Sequence, residues 1–566
     1  MLEGMANHQR RALFEASENL LLYAPACRQQ DFIHAIGYLI RRLDENTGAE
    51  NFLRHAFNIT VGSAAWTQLE SGFLESFELV SELGKEPRRS QDRRSESFEL
   101  EPEAEAFHNE ADTDFSLAAN SDWAEQVVAS WRDKVASPIE LPLFVAGEEV
   151  QDREMRDSAD PSRDGQVVAR FRQATAEDAE RAVHCAKSDP NGWRSLAAEK
   201  RHAILRDVAV EIRKARGDLM GAALAEAGKT LPESDPEVSE AVDFVEYYSR
   251  SARDFEDLPN LQASPRGVVV VVSPWNFPIA IPCGGVAAAL AAGNNVILKP
   301  ATSTVLVAHE LCECFYRAGV PRTALQLLPG SGSTVGATLV GHADVDTVIL
   351  TGGTETALQI LNARPETRLL AETGGKNATI VTALADRDQA IKHVIQSAFG
   401  HCGQKCSATS LLLLEQEVFE DESFREALVD ATKSLRVGSA WDLENRLGPL
   451  CEPPRGDLLK GLKELEEGES WAVMPRRVGE HKNLYSPGIK WNVKRGSYTH
   501  HTEFFGPVLG VMAFRSLAEA IDIVNETGYG LTSGLESLDD REQAEWLAGV
   551  RAGNLYLNRS TTGAIV

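Results

Sequence analysis

The sequence predicts an α/β protein in which a doubly wound domain is followed by a second α/β domain. In residues 267–370, short apolar runs alternate with helical segments whose starts are rich in Gly, Ser and Thr, which is the pattern of a Rossmann-like, nucleotide-binding sheet. From Glu372 onward the alternation continues as mixed α/β. The first 57 residues predict a helix, a strand and a helix, which is a fragment of a further α/β unit.

The N-terminal fragment is predicted to be incomplete. Helical periodicity covers residues 7–18 and 31–44, and the apolar run 20–24 between them has the length of a strand. A parallel strand with one helix on each side cannot bury both of its faces alone. Residues 1–57 are therefore expected to belong to a larger unit.

Residues 58–120 are predicted to be a linker because their composition changes. Two stretches, residues 86–95 and 101–106, are charged and poor in apolar side chains. Such stretches bury too little apolar surface to fold alone. The sequence therefore predicts a boundary between the N-terminal fragment and the main α/β region.

Beyond the linker, residues 121–370 are predicted to form the cofactor domain with an N-terminal arm, and residues 371–550 the catalytic domain. Amphipathic periodicity predicts helices, and apolar runs predict strands. The predicted elements are a hairpin at 141–150, helices at 176–186, 197–215 and 238–253, and strands at 268–272, 295–299, 324–328, 347–350, 379–381, 410–415 and 508–514. Residues 551–566 are predicted to begin a return toward the cofactor domain or an oligomerisation region.

Composition and charge exclude several classes of protein. Hydrophobic residues make up 43% and charged residues 25%, which is typical of a globular chain. The net charge of −27 repels phosphate backbones, so no nucleic-acid partner is expected. No apolar run has the ~18 residues of a membrane span, and no secretory signal is visible, so a cytoplasmic location is expected. The eight cysteines are irregularly spaced, which favours reduced thiols and predicts no metal site.

Four segments at the ends of predicted strands carry groups for carbonyl and cofactor chemistry. Asn276, in Pro274-Trp-Asn-Phe-Pro278, can donate a hydrogen bond to an oxygen that becomes negative, although a turn built on two prolines is equally consistent with this segment. Lys299 ends the next strand and can reach a ribose or phosphate, or it is a solvated lysine. Gly330-Ser-Gly-Ser-Thr-Val-Gly336 and Thr351-Gly-Gly-Thr354 offer backbone N–H groups to a pyrophosphate, or are tight turns.

A carboxylate and a thiol follow. Cys406 is predicted to lie at a helix start beside Lys405, which would lower the pKa of its thiol and make it a nucleophile. Glu372, before two glycines, can deprotonate water. The alternatives are a packed cysteine and a turn glutamate. Glu503 lies beside aromatic residues, where it can bind a ribose diol or form a turn at the rim.

In this order, the motifs PWNFP, KPA, GSGSTVG, TGGT, ETGGKN, GQKCSA and EFFGP resemble the aldehyde dehydrogenase superfamily, from about Phe107 to the C-terminus. The resemblance implies that Cys406 attacks an aldehyde, that Asn276 and the Cys406 amide hold the oxyanion, and that Glu372 is the base for deacylation. The cofactor-binding residues that it implies are Lys299 and Glu503 at the riboses, Gly332 to Gly336 at the adenosine diphosphate, and Trp275, Gly353 and Phe505.

Within the superfamily, Cys406-Ser407-Ala408 and residues 558–565 resemble 1-pyrroline-5-carboxylate dehydrogenase. This implies oxidation of L-glutamate γ-semialdehyde to L-glutamate, the second step of proline catabolism, with Ser407 holding the substrate carboxylate. NAD is the expected cofactor and NADP is possible. Gly353 stands where the family usually has Ser, and Thr302 where many NAD-preferring members have Glu.

Residues 22–25 and 38–46 resemble the final strand and helix of the proline dehydrogenase (β/α)8 barrel, and residues 107–120 resemble the bridge between two modules. The resemblance therefore extends to the bifunctional proline-utilisation family, PutA. It implies a proline site in the barrel remnant, formed by Arg41, Arg42, Tyr23 and Tyr38.

Both ends are expected to be truncated relative to that family. Only the last part of the barrel is present, so FAD is expected only in an intact parent protein, which would also be a homo-oligomer and possibly membrane-peripheral. The chain stops at Val566, before the family's Gly-rich substrate anchor and a strand used in assembly. Two alternatives remain open, namely an aldehyde dehydrogenase of another substrate class and an inactive fragment.

Overall fold

The computed structural model describes residues 7–17, 32–45, 47–48, 51–55, 59–84, 89–98 and 106–563. The chain divides into two units, Met1–Ser90 and Gln91–Val566. The helices of the first unit are α1 (Asn7–Ala16), α2 (Phe32–Glu45), α3 (Phe52–His55) and α4 (Ala64–Leu79). The first two confirm the helices predicted there. The predicted strand at 20–24 lies outside the described residues, and α4 lies in the stretch that was predicted to be a linker.

The second unit contains the predicted alternation of helices and strands. Its helices are α5 (Ala118–Lys134), α6 (Ala176–Ser188), α7 (Ala198–Lys214), α8 (Arg216–Ala227), α9 (Leu231–Asp257), α10 (Ala280–Ala291), α11 (Val305–Arg317), α12 (Ala337–Gly341), α13 (Thr354–Ala363), α14 (Arg387–Phe399), α15 (Gln416–Glu420), α16 (Glu422–Lys433), α17 (Gly456–Lys463), α18 (Tyr498–His501), α19 (Leu517–Asn525) and α20 (Asp540–Gly549).

Its strands are β1 (Ile139–Leu141), β2 (Leu143–Val145), β3 (Glu148–Val150), β4 (Met155–Ala159), β5 (Val167–Arg172), β6 (Val268–Val272), β7 (Asn295–Lys299), β8 (Leu325–Leu327), β9 (Thr347–Thr351), β10 (Leu369–Glu372), β11 (Ala378–Val381), β12 (Leu411–Glu415), β13 (Ser470–Val473), β14 (Gly488–Trp491), β15 (Val508–Phe514), β16 (Thr532–Glu536) and β17 (Asn554–Leu557). All seven strands predicted for the two sheets are present, with bounds that differ by at most one residue.

The first large sheet is parallel, in the order β10-β9-β6-β7-β8. The valines of β6 explain why it lies at the centre, because alternate side chains enter two different cores. Val269 and Val271 pack with α7 to α11 on one face, and Val268 and Val270 pack with α6 and α12 on the other. Helices therefore cover both faces, as a doubly wound sheet requires.

The second large sheet follows the order β13-β14-β15-β12-β11-β16-β17 and is parallel except for the antiparallel β13–β14 pair. Its strands follow those of the first large sheet along the chain, and the two sheets share no strand. The last residue of β10 is Glu372, so the predicted boundary at 370/371 falls inside a strand of the first sheet. Residues 554–557, predicted to begin a return toward the cofactor or oligomerisation region, form β17 at the edge of the second sheet.

Two small sheets precede the first large one. Strands β2 and β3 form the predicted hairpin, and its two turn residues, Ala146 and Gly147, have φ of 56° and 84°. Positive φ at both positions is the requirement of the tight turn that matches the twist of paired strands. Strands β1, β5 and β4 form the other small sheet. No described helix is both long enough and apolar enough to cross a membrane.

Candidate active site

Asn276 lies in the loop between the carboxyl end of β6 and α10, where a doubly wound sheet binds its ligand. The side chain is 5% exposed, and its Nδ2 donates a hydrogen bond to the Gln404 carbonyl at 3.0 Å. Its own backbone carbonyl accepts a hydrogen bond from Lys229 Nζ at 2.8 Å. The amide is therefore held beside the loop that carries Cys406.

Cys406 lies in a turn and not at a helix start, so the expected helix dipole is missing. Helix α14 ends at Phe399, and the short turn after it ends at Gly403. His401, Cys402 and Gly403 have φ of 51°, 53° and 68°. Side chains other than glycine rarely adopt this left-handed conformation, and such strain persists only where the surroundings enforce it. The sequence could not indicate this turn, because only one of its three residues is glycine.

The predicted lowering of the Cys406 pKa was wrong. Burial, followed by the charge of Glu372, raises the pKa of this thiol to about 11, while hydrogen bonds from the backbone N–H groups of Ser407 and Cys406 oppose the shift. Burial, followed by the charge of Lys229, lowers the pKa of Lys405 as well. At neutral pH the resting thiol is protonated, and a base must remove its proton before it attacks.

The three predicted catalytic residues line one cavity of about 230 Å³. Glu372 is exposed at the end of β10, Asn276 follows β6, and Cys406 follows α14. They come from three separate parts of the chain, so their convergence is a result of the fold. A donor, a base and a nucleophile that share a cavity can perform acyl transfer through a covalent intermediate.

A second cavity of about 860 Å³ lies at the carboxyl ends of β6, β7 and β9, and it shares Pro274, Trp275 and residues 351–353 with the first. Its size is within the range of small-molecule and cofactor sites. Predicted cofactor residues line it, namely Trp275, Lys299, Gly332, Gly336 and Gly353. The two cavities therefore adjoin at Trp275 and Gly353.

Lys299 contributes a buried cation to this larger cavity. It is 6% exposed, and Nζ donates to the Pro300 carbonyl at 3.1 Å. Burial, with a smaller effect of the charge of Arg156, lowers the pKa of Lys299 to about 8. Its Cε would lie 3.5 Å from a Cβ at Gly336, which places the lysine against the glycine-rich turn.

The glycine-rich segment fits a phosphate group. Ser331 Oγ accepts a hydrogen bond from the Thr334 N–H, and residues Gly332–Gly336 form a single wide turn that leads into α12. A Cβ at Gly332 would meet no atom within 4 Å, so it would occupy the open cavity. The missing side chain leaves room for a ligand to approach the backbone.

Glu503 and Phe505 line the smaller cavity. Glu503 Oε1 accepts a hydrogen bond from the Gly375 N–H at 2.8 Å, and a Cβ at Gly374 would lie 2.0 Å from Oε2, so a side chain there would displace the Glu503 carboxylate. Burial raises the pKa of the Glu503 carboxyl. Phe505 has a φ of 54°, and its ring packs edge-to-face against Trp275 with centroids 5.7 Å apart.

Ser407 is placed differently from the other predicted site residues. Cys406 lines the smaller cavity, whereas Ser407 is not among the described residues that line it. The Ser407 carbonyl accepts hydrogen bonds from Thr561 Oγ1 at 2.9 Å and from Thr532 Oγ1 at 3.5 Å. Its backbone is thus held by Thr532 of β16 and by Thr561, which follows β17, and its contact with a substrate stays a prediction.

The predicted proline site is described only in part. Tyr38, Arg41 and Arg42 lie on α2, where the first is half-buried and the arginines are exposed, and Arg42 pairs with Glu45. Their spacing of three and four residues puts them on one side of the helix. Tyr23 lies outside the described residues.

Among the described residues, Glu180, His184 and His342 have ligand atoms within 4.8 Å of one another, close enough to share a metal ion. The Asp344 N–H donates to His342 Nδ1 at 3.0 Å, which requires a lone pair on Nδ1 and places the proton of the neutral ring on Nε2. His342 Nε2 lies 3.0 Å from Glu180 Oε2. A hydrogen bond to the carboxylate therefore accounts for this geometry.

Sequence reasoning missed Asn377, which ties the nucleophile loop to two strands. Its Nδ2 donates to the carbonyls of Cys406 and Ala408, and its Oδ1 accepts from the Thr532 N–H at 3.0 Å. The residue is 3% exposed. An Asn at the start of an apolar strand is a weak signal of this role, because its burial is not visible in the sequence.

The family of the chain follows from comparison with known proteins. The model described as "Aldehyde dehydrogenase family" matches residues 148–566. The chain belongs to the aldehyde dehydrogenase family. A second model, described as "Proline dehydrogenase", matches residues 1–55, where the sequence resembled the end of that barrel.

Relatives and solved structures agree with this assignment. The chain is 32% identical to a 1-pyrroline-5-carboxylate dehydrogenase of Geobacillus thermodenitrificans over 81% of this chain and 92% of the relative. It is similar to proline utilization A of Corynebacterium freiburgense, with 38% identity and a TM-score of 0.78 over 100% of this chain and 51% of that one. A Thermus 1-pyrroline-5-carboxylate dehydrogenase with bound NAD has 33% identity and a TM-score of 0.77, over 82% and 93%. The chain therefore spans about half of the proline utilization A structure.

Proposed function

We propose that this aldehyde dehydrogenase oxidises L-glutamate γ-semialdehyde to L-glutamate with NAD as the hydride acceptor. One observation carries the proposal. Asn276, Glu372 and Cys406 line one cavity, and Trp275 lines both that cavity and an adjacent, larger cavity of cofactor size. The substrate class rests on the relatives, since the chain matches 1-pyrroline-5-carboxylate dehydrogenases over most of both lengths.

In the first half-reaction, the Cys406 thiol loses its proton to a base and Sγ bonds to the aldehyde carbon. The pKa of about 11 makes this proton transfer a necessary step, and a solvent base can accept the proton, so acylation does not depend on Glu372. Asn276 Nδ2 and the Cys406 N–H donate hydrogen bonds to the oxygen as it becomes negative. When bound, the oxidised nicotinamide accepts the hydride from the former aldehyde carbon, and the carbonyl re-forms as a thioester.

In the second half-reaction, Glu372 takes a proton from water while the water oxygen bonds to the thioester carbon. The same donors hold the oxyanion, the C–S bond breaks, and the sulfur recovers a proton. The product is a carboxylate. Glu372 is suited to this step because it is exposed at the end of β10 and can exchange its proton with solvent.

The residues of the two adjoining cavities fit NAD. Lys299 and Glu503 offer a cation and a carboxylate to the ribose hydroxyls, and the turn at Gly332–Gly336 offers backbone N–H groups beside open space. Trp275 lines both cavities, and Phe505, whose ring packs against Trp275, lines the smaller one. Acceptance of NADP stays open, because Thr302 lines the cavity and carries no charge that would repel a 2′-phosphate.

Comparison of two aldehydes tests the substrate. Wild-type chain is assayed for NADH formation with L-glutamate γ-semialdehyde and with propanal, beside a Cys406→Ala variant. We expect a higher kcat/KM for the semialdehyde and no NADH from the variant. A preference for propanal would show that the chain acts on another class of aldehyde. Full activity in Cys406→Ala would reject the mechanism. Lack of activity with every aldehyde, in a folded chain that binds NAD, would favour the inactive-fragment alternative.

We further propose a cytoplasmic location and a homo-oligomeric parent protein. The seven described cysteines are all free, as expected in a reducing compartment. Leu358 and Leu370, on α13 and the edge strand β10, are 55% and 50% exposed, which supports burial against another copy. Light scattering measures the assembly.

We do not extend the proposal to proline oxidation, because only residues 1–55 match the proline dehydrogenase model.

A further inference from the structure

A fully buried ion pair lies directly behind the loop that carries Asn276. Lys229 precedes α9 and Glu237 lies within it, and their side chains are 0% and 1% exposed. Buried charges lose the hydration that they have in water, and this cost offsets the attraction between them. A buried ion pair is therefore weak evidence for stability, and its presence calls for another explanation. Neither residue lines the smaller or the larger cavity, so neither can touch a substrate or cofactor there.

The pair contacts the Asn276 loop in its middle and at its C-terminal end. Lys229 Nζ donates to the Asn276 carbonyl at 2.8 Å and lies 4.3 Å from the Phe277 ring centroid. Glu237 Oε2 accepts from the N–H groups of Ile279 and Ala280, at 3.1 and 3.4 Å, where α10 begins. The loop peptides are therefore fixed to a single helix start by charge-assisted hydrogen bonds, which are stronger than neutral ones.

The same helix start also holds the nucleophile loop. Glu233 Oε1 accepts a hydrogen bond from the His401 N–H at 2.6 Å, at the first of the strained residues before Cys406. Glu233 Oε2 accepts from the Thr230 N–H and closes the N-terminal cap of α9. One rigid segment, residues 229–237, thus sets the separation between the oxyanion donor and the thiol.

We infer that the Lys229–Glu237 ion pair is a positioning device that holds the Asn276 amide at the oxyanion. This inference rests on the proposed role of Asn276. The geometry of an oxyanion hole is demanding, since displacement of a donor by about 1 Å can cost on the order of 100-fold in rate. Lys229 and Glu237 act through the loop and are not catalytic residues.

A double-mutant cycle between Lys229→Met and Asn276→Ala tests the inference. The readout is acylation of Cys406 by p-nitrophenyl acetate without cofactor, because this ester forms an oxyanion at the same carbon and releases a coloured phenolate. We expect Lys229→Met to slow acylation about 10- to 100-fold when Asn276 is present and less than about 2-fold in Asn276→Ala. The same loss in both backgrounds would overturn the inference.

Arg216→Met is the matched control. Arg216 of α8 pairs at 2.8 Å with Asp235 of α9, the helix that also carries Glu237, and the two side chains are 3% and 1% exposed. Among the described contacts, this pair makes no hydrogen bond to the Asn276 loop. We expect this variant to lose thermal stability and to acylate within about 2-fold of wild type. A loss of acylation equal to that of Lys229→Met would assign the effect to general destabilisation and overturn the inference.

Lys229→Met leaves Glu237 without its cation, so the cycle is repeated with Lys229→Met/Glu237→Gln, which removes both charges and keeps an acceptor for the Ile279 N–H. This variant serves alone if Lys229→Met does not fold. It should show the same dependence on Asn276 and an unchanged KM for NAD. Additive losses in this second cycle would also overturn the inference.

Failure of the inference and failure of the proposed function give different results. Ester acylation needs neither NAD nor the semialdehyde. Coupling between Lys229 and Asn276 in a chain that does not oxidise the semialdehyde would support the inference and reject the function. Semialdehyde oxidation without coupling between Lys229 and Asn276 would support the proposed function and overturn the inference.

Discussion

At the scale of single residues, Cys406 shows how burial and function oppose each other. A thiolate is the reactive form, yet burial and the nearby Glu372 carboxylate disfavour that charge. The resting chain therefore keeps its nucleophile protonated. This arrangement limits reaction of the thiol with other electrophiles until a base and an aldehyde are both in the cavity.

The pH dependence of alkylation tests this account. With iodoacetamide and no cofactor, we expect modification of Cys406 to rise about tenfold per pH unit between about pH 7 and pH 9 without a plateau, because the thiolate fraction grows throughout this range. Glu372→Gln removes a negative charge, so it should lower the Cys406 pKa and speed alkylation at each pH. Peptide mass spectrometry measures the rate. A plateau below about pH 8 would contradict the raised pKa.

Lys299 gives a second prediction at this scale. Its pKa of about 8 lies below the usual value for lysine, so the ammonium is present below pH 8 and is lost as the pH rises. We expect the Kd for NAD to rise between about pH 7 and pH 9 as this cation disappears. Lys299→Met should bind NAD more weakly and without that pH dependence, whereas the exposed Lys392→Met should match wild type. Fluorescence titration measures Kd, and a pH-dependent Kd in Lys299→Met would assign the titration to another group.

At the scale of elements, α11 begins on a buried carboxylate. Glu226 accepts hydrogen bonds from the N–H groups of Leu306 and Val307, both at 3.0 Å, and from Ser158 Oγ at 2.6 Å. This helix follows β7 and borders the cofactor domain's core. The carboxylate thus replaces the hydrogen bonds that a helix start leaves unmade.

Glu226→Ala should therefore destabilise the second unit. Three buried donors lose their acceptor, and we expect the free energy of unfolding to fall by about 2–4 kcal/mol. Glu226→Gln keeps an acceptor and should lose less, and Glu199→Ala, which is exposed at the start of α7, should lose almost nothing. Thermal denaturation followed by circular dichroism ranks the variants. Equal midpoints for Glu226→Ala and Glu199→Ala would contradict this role.

Elements were predictable from the sequence where a simple pattern repeats. Strands β6, β7 and β15 have the predicted bounds because each contains a continuous apolar run that is buried on both sides. Helix α4 was missed because its stretch was classified by its charged neighbours. The turn before Cys406 was wrongly predicted as a helix start. The left-handed conformation of His401 and Cys402 is enforced by contacts with distant residues, which the local sequence does not show.

At the scale of the whole molecule, the site is assembled from segments far apart in the chain. Asn276, Glu372, Cys406 and Glu503 could each be proposed from a local motif, and the fold brings all four to one cavity. The supporting charges, Lys229 and Glu237, could not be proposed, because a Lys and a Glu near a helix start are usually solvated. Their function depends on burial, which only the folded chain reveals.

The central claim is that Cys406 carries the acyl group as a thioester that Glu372 releases. The most direct measurement is the intact mass of Glu372→Gln after incubation with NAD and L-glutamate γ-semialdehyde. We predict a stoichiometric adduct of the glutamyl acyl mass on Cys406, formed with one equivalent of NADH, and no adduct in Cys406→Ala. NADH formation without an adduct, or an adduct on another residue, would contradict the account.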